Sequence, residues 1–440
     1  MQEGVLTKIE FIDEEVTSWG GVAILKRMLD ASGFVGMLGR VGLPAQGSNR
    51  GYDPVQIVLG FMCAVWCGAE RYAHLDVTRF DGCLQRMFGW ERMPEHKAYE
   101  RYLRKFGLAA SQRVFGGMWK WFFGSLKFGS CTLDLDSSVL SRYGSQEAAA
   151  KGYNPRKPGR RSHHPLLAFV ADAEMVANLW LRPGDAHGAN NFQAFLEETL
   201  HFLGGRKVKL LRLDTGFFGD EAMGYLEKRE DPINYIVATP MYQTIQAKLG
   251  KGLAWLTLED GIEVAEFEYQ AKEWKGARRM VAVRQKVAVR PQAPGKQLTL
   301  FEDDIEIKGY RYTCYTTSLD LPPAEVWRLY RGRANCENRI KELKYDYSLD
   351  KLNQESFQGT EASLRLMAMA YNFLSLFKQL VIGGTVRQRL ATLRHKMLAI
   401  PAIVQRTAGT LQVKMALHMN RRSYILKLFK QIDLAYARDG

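Results

Sequence analysis

Several devices that would assign a function at once are missing from this 440-residue chain. It has no GxxxxGK[ST] phosphate loop and no GxSxG nucleophile elbow, which excludes P-loop nucleotide chemistry and an α/β-hydrolase serine. The six cysteines (Cys63, Cys67, Cys83, Cys131, Cys314, Cys336) include no CxxC pair. Cys63 and Cys67 share a helix face, but no His stands at zinc-finger spacing from them, so reduced, buried thiols are expected. Long apolar runs are absent as well. No uncharged stretch, the apolar Val55 to Ala69 included, reaches the ~20 residues of a membrane-spanning helix. The opening residues, MQEGVLTKIEFIDEE, lack a basic segment followed by an apolar run, so no secretory signal is expected. No internal repeat is visible.

Acids are scarce too. Lys and Arg total 61 against 47 Asp and Glu, a net charge of +14, in a chain that is 46% hydrophobic and 25% charged. That balance fits a protein with a well-filled core, and the length allows roughly three domains of about 150 residues. The basic surplus speaks of partners and not of fold, with nucleic acid the first candidate polyanion. It is unevenly placed: from Phe377 onward twelve Lys and Arg face two Asp, a surplus of ten. A second cluster, Lys151, Arg156, Lys157, Arg160 and Arg161, lies in an acid-free stretch between Glu147 and Asp172. Either cluster alone also suits a solvated surface; two acid-poor clusters together point to phosphate contacts.

Periodicity divides the chain. Residues 1–128 read as helical, with Asp53-Pro54-Val55-Gln56 as a start signal and an apolar helix to Ala69. Around 94–106, Tyr99, Tyr102, Leu103 and Phe106 form a helical stripe outside which most of the basic residues fall, a helix that suits a DNA groove or plain solvent equally. Cys131 to Asp136 alternates as a strand, with Thr132, Asp134 and Asp136 on one side. Leu166–Val170 and Val176–Leu181 read as a hairpin turning at Asp172-Ala-Glu174. A helix over 191–203, a strand over 207–213, a helix over 219–228 and a strand over 233–238 complete a mixed α/β pattern. From 240 to 320 the helix signal vanishes and strands at 264–269, 279–287 and 307–316 suggest an all-β insertion. Helices resume over 322–345 and 362–381, followed by a basic helical tail.

Asp136 and Asp214 end two of these strands, where a buried carboxylate is costly unless paired or metal-bound, although a lone strand-end Asp often only caps a turn. The third element is Tyr330, Arg333, Glu337 and Lys344 in LYRGRANCENRIKELKYDY. At ~100° per residue these four fall within about 60° of one another on a helix, and Lys341 adds a further ammonium nearby. On spacing alone the stripe also suits an exposed, salt-bridged helix using pairs such as Glu337 and Lys341.

These residues resemble the three acidic motifs of DDE transposases from bacterial insertion sequences: Asp136 in TLDLDSS, Asp214 in LRLDTGFFGD, and the Tyr–Arg–Glu–Lys array. More narrowly, they are similar to the group with that four-residue signature and a β-rich insertion before the catalytic Glu. The separations, 78 residues and then 123, accommodate such an insertion. QGSNRGYDPVQ, GYNPRKPGRRSHHPLL and RPGDAHGANN extend the likeness over nearly the whole chain.

The resemblance implies a mixed α/β, ribonuclease-H-like catalytic core (129–239 and 321–360) interrupted by an all-β insertion (240–320). It also implies a helical, end-binding N-terminal region (1–128) and a helical basic C-terminal region (361–440) for DNA contact or dimerisation. Asp136, Asp214 and Glu337 would be catalytic and hold two Mg²⁺ ions, with Mn²⁺ able to substitute. Tyr330, Arg333, Lys341, Lys344, Arg156, Lys157, Arg160 and Arg161 would contact DNA. Implied partners are double-stranded DNA and a second copy of the chain at synapsis, in a bacterial cytoplasm near the nucleoid. A hairpin intermediate would call for an aromatic stacking partner, for which Trp255 and Trp274 are candidates. Asp134 is a rival to Asp136, while Glu174 and Asp185 read as structural turn residues. Two other readings stay open: a non-catalytic DNA-binding protein, and a stand-alone nuclease on the same fold.

Overall fold

In the strand β1 (Ser130–Ser137), the alternation of CTLDLD buries Leu133 and Leu135 on one face and directs Asp134 and Asp136 to the other. The computed structural model describes residues 8–259, 261–286, 305–307, 309–383, 388–407 and 409–437. Strands β2 (Leu166–Val170) and β3 (Met175–Trp180) form the expected hairpin, with Glu174 taking the left-handed turn conformation at φ 49°. Strands β4 (Lys207–Leu213) and β5 (Asn234–Ala238) follow, each preceded by a crossover helix, Phe192–Phe202 and Asp220–Glu227. The order is β3-β2-β1-β4-β5, with β1, β4 and β5 parallel and the hairpin antiparallel. This strand order is that of the ribonuclease-H-like core that the resemblance implied.

The β-rich stretch does not stand apart from that core. Strands β6 (Leu256–Glu259), β7 (Ile262–Tyr269), β8 (Arg278–Lys286), β9 (Ile305–Ile307) and β10 (Tyr310–Thr317) pair antiparallel among themselves. Strand β10 then joins β5 through Tyr315–Thr317 opposite Ile236–Ala238. Among the described residues one ten-stranded sheet results. The expectation of no helix over 240–320 is corrected by Gln243–Leu249, a short helix whose Ile245 and Leu249 are buried. Seven residues carry too little periodicity to stand out against flanking strands.

Helix Phe357–Phe377 joins the sheet to the N-terminal helices. Every residue from Ala362 to Phe377 is buried. The helix covers β3, the edge strand, and supplies polar side chains where another strand would supply backbone. Asn372 accepts from the Val176 N–H and donates to the Val176 carbonyl, both at 2.8 Å. Arg365 donates to the Leu179 carbonyl at 3.0 Å. On its other side lie helices Pro54–Trp66, capped by Asp53 as expected, and Leu108–Gly124.

The tail is not purely helical. Ala402–Thr407 and Thr410–Met415 form a hairpin, and Val16–Thr17 near the other end of the chain pairs with its first strand. Alternation in AIVQRT buries Ala402 and Val404, a period of two that the basic residues around it obscured. Helix Met419–Ala435 then packs on helix Val22–Ala31, where Arg27 pairs with Asp433 at 2.7 Å.

The edge-strand contact makes a stability prediction. Asn372→Leu keeps the volume but strands one buried N–H and one buried C=O, so urea unfolding should show a loss of about 1–3 kcal/mol. No change in the midpoint would mean that the side chain does not hold β3.

Candidate active site

Asp136 lies one residue from the end of β1, and Asp214 directly follows β4. These strands are parallel neighbours, so both carboxylates emerge at the same, carboxyl edge of the sheet, where loops leave room for a ligand. Asp214 also opens a short helical turn, its Oδ1 accepting from the Gly216 N–H at 3.0 Å. Between the two acids lies Arg333, 3.3 Å from Asp136 Oδ2 and 3.9 Å from Asp214 Oδ2. Burial pushes the Asp136 carboxyl up to about 7; Arg333 opposes the shift and Asp214 adds to it. Burial works against the Arg333 charge as well, yet Asp136, Tyr330 and Asp214 raise its guanidinium above the usual arginine range.

Arg333 reaches this position through a break in its helix. Residues 322–345 were expected as one helix and instead form Pro323–Arg331 and Ala334–Tyr345. Gly332 and Arg333 keep right-handed dihedrals, but the Arg333 N–H bonds Tyr330 O and the Cys336 N–H bonds Arg333 O, a local tightening of the turn. The cause is Arg212 on β4. Its Nη1 donates to the Leu329 carbonyl at 2.7 Å, taking an acceptor that the Arg333 N–H would use in a regular helix. A Cβ on residue 332 would lie 2.4 Å from that same Nη1, which is why the position is glycine. Arg212 is aimed by Asp134, its cross-strand partner, through a two-pronged pair at 2.6 and 2.9 Å. Asp134 is fully buried in this pair, which separates it from Asp136 despite their shared strand face.

The other signature residues spread around this centre. The Tyr330 hydroxyl donates to the Leu213 carbonyl at 3.2 Å, its ring packs on Tyr315 with centroids 4.4 Å apart, and it is buried. It therefore steadies the backbone that carries Asp214. Lys344 donates to the Val139 carbonyl at 3.1 Å. Burial lowers its pKa, Arg156 lowers it further, and Asp350 and Asp136 oppose, so Lys344 lies within electrostatic reach of both the basic loop and the carboxylates. Lys341 is exposed, and Glu337 is half-buried, one turn beyond Arg333. Arg156, Lys157, Arg160 and Arg161 are all exposed. Of the two candidate tryptophans, Trp274 is buried against Phe218 and Tyr269, and half-buried Trp255 lies beneath Arg284 at 4.2 Å.

Among the described residues no three His, Cys, Asp or Glu side chains come close enough together to hold a metal ion. Asp136 and Asp214 are brought together and Glu337 does not complete the group. The donors nevertheless fit a hard divalent cation. They are oxygen-only, and two of them already face one shared positive charge in a poorly solvated site.

Two basic residues that sequence reasoning passed over shape the walls. Arg182, in RPGDAHGANN, is buried and donates to the carbonyls of His164, His187, Gly188 and Asn190 at 3.0–3.1 Å, tying that turn into one piece. Burial pushes its guanidinium down to about 10 and Asp214 opposes this. Arg142 donates to His163 Nδ1 at 3.0 Å, while His163 Nε2 bonds the Glu147 carbonyl at 2.9 Å. Neither arginine has a periodicity of its own: Arg142 is defined by the His163 ring and the Asp350 carbonyl, and Arg182 by the carbonyls of its own turn and of His164.

Two measurements follow. Asp134→Ala leaves Arg212 buried without its counter-charge and should cost about 3–5 kcal/mol in chemical denaturation. The double variant Asp134→Leu/Arg212→Met should recover much of that. A loss below about 1 kcal/mol for the single variant would contradict the staple. Burial also pushes His163 down from 6.5 to about 4, so the fold holds it neutral. Its contribution is complete above pH 6.5 and is lost as pH falls toward 4, where the unfolded chain takes up the proton first. A plot of melting temperature against pH should flatten over that window in His163→Asn.

Residues 5–436 match the family described as transposase DDE domain group 1. No curated protein matches the chain. Among solved structures, piggyBac transposase in a synaptic complex with hairpin DNA is similar at 11% identity, over 87% of this chain and 81% of that one, with a TM-score of 0.46. With the family matched from residue 5 to residue 436, the chain belongs to the DDE transposases.

Proposed function

We propose that this transposase cuts DNA at the terminal inverted repeats of its element and joins the freed 3′ ends to target DNA. Asp136, Asp214 and Glu337 are the residues that would hold two divalent cations, Mg²⁺ with Mn²⁺ as substitute. Bound there, such ions activate water or a 3′-hydroxyl and stabilise the departing oxygen of an in-line displacement. The observation that carries the reading is the position of Asp136 and Asp214 at the carboxyl ends of adjacent parallel strands, facing one buried guanidinium.

The chain's own residues divide the remaining work. Arg333 balances the carboxylates and offers a fork to a phosphate. Tyr330 fixes the Leu213 carbonyl and with it the Asp214 backbone. Lys344 joins the carboxylates to the basic loop of Arg156, Lys157, Arg160 and Arg161, and exposed Lys341 extends that surface. In the reaction sequence proposed, the freed 3′-hydroxyl first attacks the opposite strand, giving a DNA hairpin that water reopens. End recognition falls to the helices within 1–128, DNA contact and dimerisation to 361–440, and two copies of the chain pair two ends.

Incubation of the protein with an inverted-repeat duplex and Mg²⁺ should give nicked and then hairpin products, resolved on a denaturing gel. Asp136→Ala, Asp214→Ala and Glu337→Ala should each slow cleavage at least ~10³-fold while end binding survives. Undiminished cleavage in all three variants would sink the active-site assignment. Binding without any metal-dependent cleavage by the unmodified protein would favour a DNA-binding protein. Cleavage without joining to a target plasmid would favour a stand-alone nuclease.

A further inference from the structure

A second feature lies beyond Lys344. Leu140–Ser141, Arg161–His163 and Ala150–Lys151 form a three-stranded sheet with the middle strand shared, and the chain between 151 and 161 folds back over it. Asn154 closes that loop: its Nδ2 donates to Ser141 Oγ and its Oδ1 accepts from the Lys157 N–H, both at 3.1 Å. Gly184 lets the neighbouring turn press against it, since a Cβ there would lie 2.2 Å from the Ser162 carbonyl and 2.3 Å from that of Ala150. Loop and sheet enclose an open cleft of about 470 Å³ whose charged and aromatic lining is Arg142, Tyr143, Lys151, Lys157, Arg160 and Arg161. No acid is among its lining residues.

Two details separate this cleft from an ordinary basic surface. Tyr143 is 65% exposed, and instead of dispersing into water two cations gather on its ring. Lys157 Nζ lies 4.8 Å and the Arg160 guanidinium carbon 4.9 Å from the ring centroid, and Lys157 also donates to the Tyr143 hydroxyl. Beside them Arg142 is only 2% exposed. Its Nε and Nη1 are bonded to His163 and to the Asp350 carbonyl, but its Nη2 has no hydrogen-bond partner. A buried guanidinium N–H without an acceptor is costly, and gathered cations repel; an anion in the cleft relieves both.

We infer that this cleft binds the sugar-phosphate backbone of DNA by charge, with Tyr143 as the post that holds Lys157 and Arg160 in place. Backbone fits better than a base, because the cations already occupy the tyrosine ring that a base would stack on. A chain of phosphates fits better than a single anion, because five cationic side chains line the opening. The inference rests on the reading that this chain handles DNA, but it is independent of strand cleavage.

The test uses the full chain without divalent metal. Binding to an inverted-repeat duplex and to a scrambled duplex of equal length is measured over a range of salt. Lys157→Ala/Arg160→Ala should weaken both duplexes to the same degree and make the log affinity–log salt slope shallower by about 1.8, as expected for two lost phosphate contacts. Tyr143→Ala should reproduce part of that change, and Tyr143→Phe, which keeps the ring, little of it. Unchanged affinity and slope in the double variant would overturn the inference. So would a loss confined to the inverted-repeat duplex, which would mean that bases are read there. Because cleavage is never scored, a protein that binds in this way yet cannot cut would fail the transposition reading and leave this one standing.

Discussion

The buried ion pair between Asp134 and Arg212 is the contact on which the candidate active site depends. Two charges taken from water onto adjacent strands are a poor source of net stability, since their desolvation cancels much of their attraction. What the pair supplies is direction. A guanidinium held by both oxygens of a carboxylate has its third nitrogen fixed in space, and that nitrogen takes the Leu329 carbonyl. The helix above the sheet is thereby interrupted at one defined place, the two residues Gly332 and Arg333. A regular helix would carry Arg333 round by the usual ~100° per residue and align it differently with Asp136 and Asp214.

The carboxylates and their cation form a charge-balanced group in a poorly solvated place. Asp136 alone would resist ionisation there, and a second acid nearby makes that worse. Arg333 offsets both effects, and Tyr330 and Arg182 brace the backbone on either side, one at Leu213 and the other through the turn at 182–191. The positive charge of the chain thus has two different uses. Buried arginines at 142, 182, 212 and 333 satisfy carbonyls and carboxylates and set geometry, whereas the cations at 156, 157, 160 and 161 stay at the surface, two of them gathered on the Tyr143 ring.

Much of this could be read from the sequence, and what could not shares one physical character. The strand ends carrying Asp136 and Asp214, the β2–β3 hairpin, the Asp53 cap and the core role of the 357–377 helix all follow from local period and local chemistry. Their determinants lie within a few residues. The break at Gly332 and the joining of β10 to β5 depend on partners about 80 to 120 positions away, and the carbonyl-gathering role of Arg182 depends on the folded shape of its own turn and on His164. The tail hairpin was hidden for a related reason: its buried positions are few, and the charged residues between them resemble those of an exposed helix. Spacing did group Tyr330, Arg333, Glu337 and Lys344 on one side of a helix, but it could not distinguish the member that turns into the core from those that face the carboxylates or the loop.

The pairing of Val16–Thr17 with Ala402–Ile403 bears on how the chain is made. At ~5–20 residues per second, the strand near the start waits roughly 20–80 s for its partner to be synthesised. During that interval the surface it will cover stays open, as does the face of helix Val22–Ala31 that later receives helix Met419–Ala435. This end of the fold is closed by a segment made long after it, so a ribosome that stops before residue 402 releases a chain in which Val16–Thr17 has no strand to pair with and one face of helix Val22–Ala31 is uncovered.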